Sequence, residues 1–323
     1  MLLLALAAGC AAACAAATLV TSPRAVLITG ANKGQGFALA ERCLAEQPDA
    51  YIFLCARDRA RGADAAARLH DPGRVEVVEM DVVLEESVRA AALQVASRLA
   101  PGNTLHGIVS NAGILWENPL ASLVETNTFG MARVLDGFLP LLKPDGGRVV
   151  IVSSGMGPLI LGYADEARRA ALLSSTLTWA QVKAMADECL AVETAGGGWR
   201  EMEKLGFDGG PFRETARDFH YYGLSKMFAD AYMRVVAAKH PRLFVNSLDP
   251  GLVFTDLIAE IPRFAGKSRE EAGAATPNEG VEPAMRLLFG ESGAPGSFEG
   301  SGRFYAMSKD RSQLLSSTID KRP

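Results

Sequence analysis

A doubly wound α/β fold, with one parallel sheet covered by helices on both faces, is the fold class this sequence predicts. Three observations carry it. Short apolar runs rich in β-branched residues alternate with longer amphipathic runs along most of the chain. Several short runs are apolar at nearly every position, the pattern of strands buried on both faces. A glycine-rich turn joins the first short run to the first amphipathic one, the strand–turn–helix join typical of such folds.

The elements follow in order. The first strand is predicted over residues 25–29 (AVLIT), then a turn and a helix over 37–46. Strands at 51–56 (YIFLCA) and 75–79 (VEVVE) come next, the latter followed by a helix over 85–99. A strand at 105–110 (LHGIVS), a helix over 120–142 and a strand at 148–153 (RVVIVS) continue the alternation. The sixth strand is at 243–248 (LFVNSL), and a late one at 302–306 (GRFYA) closes an edge. Alternation sustained this long argues for parallel order, because parallel neighbours need a crossover and a helix is the usual one.

One stretch breaks the rhythm. Residues 155–220 are charged and helix-prone, then glycine-rich near 195–198 and 206–211, with too little apolar content for an independent core. The expectation is a single domain over 23–323 with a mostly helical insertion at about 155–220. Residues 1–22 stand apart as a hydrophobic leader. From 2 to 20 nothing is charged, alanine and leucine dominate, and Pro23-Arg24 ends the run. A signal peptide with Ala15-Ala16-Ala17 as cleavage context, a short membrane anchor and an inert extension all remain open, and the compartment with them.

Bulk composition narrows the function classes. Hydrophobic residues at 49% and charged residues at 22% describe an ordinary folded enzyme, not a disordered segment. A net charge of −4 without any basic run gives nucleic acid no electrostatic purchase. Five scattered cysteines with no CxxC pair, and four histidines, argue against a metal site and for free thiols in a reducing compartment.

The chemistry begins in the turn Thr29-Gly30-Ala31-Asn32-Lys33-Gly34-Gln35-Gly36. Gly30 permits a tight turn, Gly34 lets backbone approach a pyrophosphate, and Gly36 lets the helix pack close to the strand. The helix N-terminus then offers free N–H groups to phosphates. The spacing is GxxxGxG rather than GxGxxG, and a plain structural turn is the alternative reading. An NAD enzyme ends its second strand with an acid for the ribose 2′-hydroxyl, but Ala56 stands there, followed by Arg57. Arg57 and Lys33 together suit a 2′-phosphate and so predict NADPH. Against this, both cations could be solvated surface charges, with Asp58 reaching a ribose.

Tyr222 and Lys226 share a helix face at i, i+4 spacing, so phenol and ammonium can enter one cleft. A neighbouring cation stabilises a phenolate and moves the tyrosine toward the working range of an acid–base group. This spacing is common on exposed helices and gains weight from its company. Ser154 closes the fifth strand, Asn111-Ala112-Gly113 follows the fourth, and Asn127 lies in the next helix. Asp81-Val82 follows the third strand, and Pro250, Gly251, Val253 and Thr255 follow the sixth.

From about Arg24 to its end the sequence resembles the short-chain dehydrogenase/reductase family. TGxxxGxG, NAG, SS, YxxxK and PG all stand in family order. The long segment before Tyr222, with Asn32-Lys33-Gly34, Ala56-Arg57-Asp58 and LPLLKPDGGRVV, is similar to the monomeric carbonyl reductase branch. The resemblance implies a Rossmann fold, bound NADPH or NADP+, and reduction of a ketone, aldehyde or quinone. It implies that Tyr222 donates the proton, that Lys226 lowers its pKa and holds the nicotinamide ribose, and that Ser154 polarises the carbonyl. Asn127 would hold a water, Asp81 the adenine, Asn111 the adenine ribose, and Pro250, Gly251, Val253 and Thr255 the carboxamide side. A monomer is expected, because the insertion would cover the helices that pair subunits in relatives.

Departures are Ser110 before NAG and Leu252 where carbonyl reductases tend to carry a bulky aromatic. A dedicated terpenoid or lipid alcohol dehydrogenase is the same-chemistry alternative. A non-catalytic NADPH-binding sensor or scaffold is the different-class one, and a nucleotide-sugar epimerase fits the glycine spacing poorly.

Overall fold

In the computed structural model, which describes residues 18–212, 217–259, 261–294, 298–308 and 313–317, the chain alternates strand and helix from Arg24 onward. Strand β1 spans Arg24–Ile28 and helix α1 Gly34–Glu46, followed by β2 at Ala50–Ala56 and α2 at Arg59–Arg68. Then come β3 at Val75–Glu79, α3 at Glu85–Arg98, β4 at Leu105–Ser110, α4 at Leu120–Val124 and α5 at Met131–Phe138. Beyond β5 at Arg148–Val152 lie α6 (Met156–Tyr163), α7 (Glu166–Leu173), α8 (Trp179–Thr194), α9 (Trp199–Lys204) and the long α10 (Arg217–Lys239). Strand β6 (Phe244–Asp249) precedes the short helices α11 (Asp256–Ala259), α12 (Arg269–Ala272) and α13 (Pro277–Gly280). Helix α14 (Glu282–Phe289) leads to β7 (Phe304–Met307) and β8 (Leu314–Ser317).

The strands form one sheet in the order β3-β2-β1-β4-β5-β6-β7-β8. All pairs are parallel except β7 with β8. Order reverses between β1 and β4, and at such a switch point the turns beyond the carboxyl ends part to leave a crevice. Side chains alternate across the sheet and divide the core in two. Ala25 and Leu27 pack with Phe138, Phe228 and Val149 on one face. Val26 and Ile28 pack with Leu39, Leu54 and Leu288 on the other.

Seven strands fall within two residues of their predicted places. Strand β8 was not foreseen, since residues 314–317 (LLSS) show neither alternation nor a continuous apolar run. The helix expected over 120–142 is interrupted by a π-helical turn at Glu125–Gly130 and ends in a 3-10 turn at Leu139–Leu141. Tertiary bonds explain the interruption. The Thr128 hydroxyl donates to the Ser225 carbonyl at 2.8 Å, and a Cβ at Gly130 would sit 2.9 Å from Val82 Cγ2.

The helices between β5 and α10 do not build a core of their own. Leu172, Val182, Met185, Cys189, Met202 and Phe207 join the cluster that contains Phe228 of α10. Helix α8 starts on a capping box, with Thr178 and Gln181 each satisfying the other's backbone N–H. At the other end of the chain, Val20 is buried and its N–H donates to the Arg98 carbonyl at 2.7 Å, so the folded body begins before the expected boundary at 23. Residues 1–17, which hold most of the hydrophobic leader, Cys10, Cys14 and the Ala15-Ala16-Ala17 context, lie outside the described residues. Among the described residues no helix is long and apolar enough to cross a membrane, and Cys43, Cys55 and Cys189 are free and buried.

Helix α10 is buried along most of its length, and α6 lies directly against it. Gly223 makes that approach possible, since a Cβ there would come within 2.4 Å of Ile160 Cγ1. Near its start the helix also buries His220 at 0% exposure. Burial pushes this imidazole down to about 4, against weak opposition from Asp208 and the Phe207 backbone. An unfolded chain takes up the proton near pH 6.5 and the folded chain refuses it, so stability falls as pH drops from 6.5 towards 4. Between pH 7 and pH 5 the loss from this group is about 2 kcal/mol. His106, also lowered by burial, acts in the same sense. Chemical denaturation at the two pH values should show the wild-type loss, and His220→Leu should flatten most of it. An unchanged slope would mean that His220 takes up its proton in the folded chain.

Candidate active site

The glycine turn sits at the switch point, and each glycine answers a different steric demand. Gly30 has φ +63°, and a Cβ there would lie 3.0 Å from Ala112 Cα. Gly34 has φ +58° and opens α1. Gly36 brings the helix against the turn, since its Cβ would lie 2.6 Å from the Gly30 carbonyl oxygen and from Asn111 Nδ2. Lys33 occupies the N-cap without a capping bond, and the first turn of α1 carries no acid. The leading N–H groups and the positive end of the helix dipole are therefore left for an anion.

Buried polar bonds lock this turn to β4. The Thr29 hydroxyl accepts from the N–H groups of Asn111 and Ala112, both at 2.9 Å. Asn111 Nδ2 donates to the carbonyls of Thr29 at 2.9 Å and Gly30 at 3.3 Å. Both bonds of the Asn111 amide group thus go to holding the turn. Arg68 adds a third tie by donating to the Asn32 carbonyl at 3.0 Å while lying over the Phe37 ring.

The last position of β2 carries the buried Ala56 in place of an acid. Arg57 and Arg61 are exposed along the cleft wall, as is Lys33, which pairs with Asp256 at 2.8 Å. Asp58 caps α2 by accepting from the Arg61 N–H at 2.9 Å. Its carboxylate thus serves the helix as well as facing the cleft. Asp81 accepts from the Val83 N–H at 3.1 Å and anchors the turn after β3.

The chemical groups meet at the carboxyl ends of β4, β5 and β6. Tyr222 and Lys226 stand one turn apart on α10, with Lys226 Nζ 5.6 Å from the centre of the Tyr222 ring. Lys226 Nζ donates to the Val152 carbonyl at 2.9 Å. The Ser154 hydroxyl oxygen accepts from the Met156 N–H at 3.2 Å, and the group also reaches Tyr222. Asn127 is buried in the π turn. Its Oδ1 accepts from the Ile114 N–H at 2.9 Å, and its Nδ2 donates to the Ile114 carbonyl and to Ser225 Oγ, each at 3.0 Å. Those bonds clamp the 111–114 segment against α10 and use both amide hydrogens, so the Asn127 side chain has none to offer a water. A Cβ at Gly113 would come within 3.1 Å of Asn127 Oδ1 and 3.7 Å of Lys226 Nζ.

The electrostatics differ from the expectation in one respect. The net shift of the Tyr222 phenol is upward in this geometry. Burial holds it above its ordinary value, the Ser154 hydroxyl works against this, and the charges of Asp249 and Asp230 reinforce it. At neutral pH the phenol is fully protonated, the state a proton donor needs. Burial lowers Lys226 to about 8, while Asp230 and Asp249 pull it back up.

These groups share one cleft of about 980 Å³. Gly30, Asn32, Lys33, Gly34, Gln35, Arg57, Asp81, Val82, Asn111, Ala112 and Gly113 line one part of it. Ser154, Tyr222, Lys226, Pro250, Gly251, Val253 and Thr255 line the other. Of the residues singled out in the sequence, Gly36 and Asn127 lie behind the wall, where they act through packing and hydrogen bonds. At the outer end Leu115, Ile261 and Phe264 form an apolar wall with Leu252, Phe219 and Leu257 packed on it. Sequence reasoning named Thr29 only as the start of the glycine turn, and passed over Arg61 and Asp249. Asp249 closes β6, and its Oδ2 would be 2.9 Å from a Cβ at Gly155. Its place directly before Pro250-Gly251 was the available signal.

A family model described as short chain dehydrogenase matches residues 24–182. Carbonyl reductase (NADPH) 3 of Rattus norvegicus is 32% identical over 269 residues, covering 79% of this chain and 89% of its own length. Short-chain dehydrogenase/reductase 1 of Saponaria officinalis is 28% identical over 323 residues, covering 90% of this chain and 96% of its own. Among solved structures, salutaridine reductase from Papaver somniferum superposes with a TM-score of 0.69 at 22% identity, covering 87% of this chain and 99% of its own.

The Thr29 hydroxyl satisfies two backbone donors at once, so its removal should strand both. Thr29→Val is expected to destabilise the protein by about 2–4 kcal/mol, and Thr29→Ser by far less. Denaturant unfolding of the two variants measures the difference. Equal stability would mean that water replaces the hydroxyl.

Proposed function

The chain belongs to the short chain dehydrogenase family of oxidoreductases, and on that premise we propose that it is an NADPH-dependent reductase of ketones, aldehydes or quinones. The observation that carries this reading is the meeting of Ser154, Tyr222 and Lys226 beside the glycine turn in one cleft. The residues present fit a dinucleotide phosphate. Gly30, Gly34 and Gly36 leave a cradle without side chains, the N-terminus of α1 is uncapped, Arg57 and Arg61 line the cleft beyond β2, and Lys33 stands beside Gly34, paired with Asp256. That set would hold the pyrophosphate and the 2′-phosphate, and Lys226 with the 250–255 segment would hold the nicotinamide end. The rat relative that is named for NADPH supports the same cofactor.

When bound, the reduced nicotinamide supplies the hydride. Ser154 donates a hydrogen bond to the substrate oxygen and favours negative charge developing there. Tyr222 passes its phenolic proton to that oxygen, completing the alcohol, and the Lys226 ammonium stabilises the phenolate left behind. The apolar wall of Leu115, Leu252, Phe219, Ile261 and Phe264 excludes water and favours a hydrophobic carbonyl compound.

NADPH consumption by the full chain, with a small quinone and an aromatic dicarbonyl compound, tests the reading. Turnover should exceed that with NADH by about tenfold or more, the worth of one charge-assisted contact to the 2′-phosphate. Tyr222→Phe should lose about 10²–10⁴-fold. Tight NADPH binding with no turnover, or an active Tyr222→Phe variant, would favour a binding role instead.

We propose further that the protein acts as a monomer. Helix α8 packs across α10 and α4, so the insertion occupies the face through which those helices would otherwise meet a second copy. Sedimentation should report a single chain, and a stable dimer or tetramer would overturn this.

A further inference from the structure

Tyr222, Lys226 and Asp230 follow one another at i, i+4 spacing along α10, and all three turn toward the sheet. Asp230 is 3% exposed, and neither carboxylate oxygen has a hydrogen bond of regular geometry. The hydroxyls of Ser153, at the end of β5, and Ser247, in β6, lie within reach of it and are themselves buried without regular partners. Helix α6 makes room with Gly157, where a Cβ would be 2.6 Å from Asp230 Oδ2. Beside the carboxyl lies a cavity of about 10 Å³, lined by Gly157, Leu161, Leu172 and, one turn on, Arg234. That is the lower limit for one water.

A carboxyl kept here for packing alone would be a costly choice, because burying one without full hydrogen bonding is strongly unfavourable. Lys226 has the complementary need, being a buried ammonium with the Val152 carbonyl as a neutral acceptor. We propose that Asp230 is the buried counter-charge of Lys226, a positioning residue that, without a direct ion pair, favours the lysine's ammonium form from behind the site, with Ser153 and Ser247 favouring the ionised carboxyl.

The surroundings contain few competing charges. On α10 the facing groups are Tyr222, Lys226 and Arg234, and from the end of β6 comes Asp249. Helix α6 contributes glycine and apolar side chains, and α7 contributes Leu172 and Leu173. The π turn meets α10 at Ser225, while Glu193, Arg217 and Asp218 act on Tyr221 rather than on this group. Burial pushes Asp230 up to about 7, with Ser153, Ser247 and Lys226 pulling it down and Asp249 adding to the rise. Of the groups that favour the charged lysine, Asp230 acts most strongly, ahead of Asp249. Without the Asp230 charge the ammonium would be lost at lower pH, and the alkaline limb of the reduction would move in the acid direction.

The effect on turnover rests on the reductase reading, whereas the effect on the lysine does not. The test is therefore a titration of Lys226 in the full-length protein by NMR of ¹³C-labelled lysine, with Lys226→Arg assigning the signal. Asp230→Asn should lower the titration midpoint by about one pH unit or more. Ser247→Ala, which keeps the carboxyl but removes a donor to it, should lower it by less. The alkaline limb of kcat/KM should move in parallel. A Lys226 midpoint unchanged in Asp230→Asn would overturn the proposal. If that variant fails to fold, an unchanged midpoint in Ser247→Ala does so. Absence of turnover with a shifted midpoint would count against the reductase reading alone.

Discussion

The burial of α10 is the constraint on which the rest of this structure depends. A helix that carries a tyrosine, a lysine, an aspartate and a histidine on buried positions loses the hydration of each, and every neighbour must compensate or stay out of the way. The sheet compensates through the Val152 carbonyl on Lys226 and the hydroxyls of Ser153 and Ser247 near Asp230. Helix α6 stays out of the way through Gly157, and α10 itself does so through Gly223. The insertion then closes the outer side, which is why its apolar residues belong to the main core.

The same burial sets the electrostatic character of the site. A phenol held above its ordinary value and an ammonium held below it are both pushed toward their neutral forms, as desolvation requires. Two carboxylates, Asp230 and Asp249, then favour the lysine's charge and oppose the tyrosine's. The outcome is a proton-bearing phenol beside a supported cation. At the opposite end of the cleft the logic reverses. Arg57 and Arg61 are exposed and present a positive rim, with Lys33 paired to Asp256.

Much of the fold could be read from the chain because strand burial leaves a local mark. Runs such as residues 51–56 and 148–153 are apolar on both faces, and they became interior strands. The glycine turn was equally legible, since each glycine answers a demand of backbone geometry that no other residue meets cheaply. Strand β8 left no such mark, being short and paired on one side by β7. The π turn in the helix after β4 was also invisible, because its cause lies nearly a hundred residues away in the Ser225 carbonyl and hydroxyl.

What the sequence determined by itself is the order of strands and helices, the turn that opens α1, and the identity of the polar residues that follow each strand. Those features depend on neighbours within a few positions, where side-chain period, glycine and charge act directly. Only the tertiary structure decided which of these residues share a cleft and which stand behind it. It turned Asn127 and the Asn111 amide into clamps, paired Lys33 with Asp256, and placed Asp230 within electrostatic reach of Lys226. The reason is physical. Desolvation and long-range hydrogen bonding exist only once the chain has closed around a group, so the charge a buried residue carries is a property of the fold.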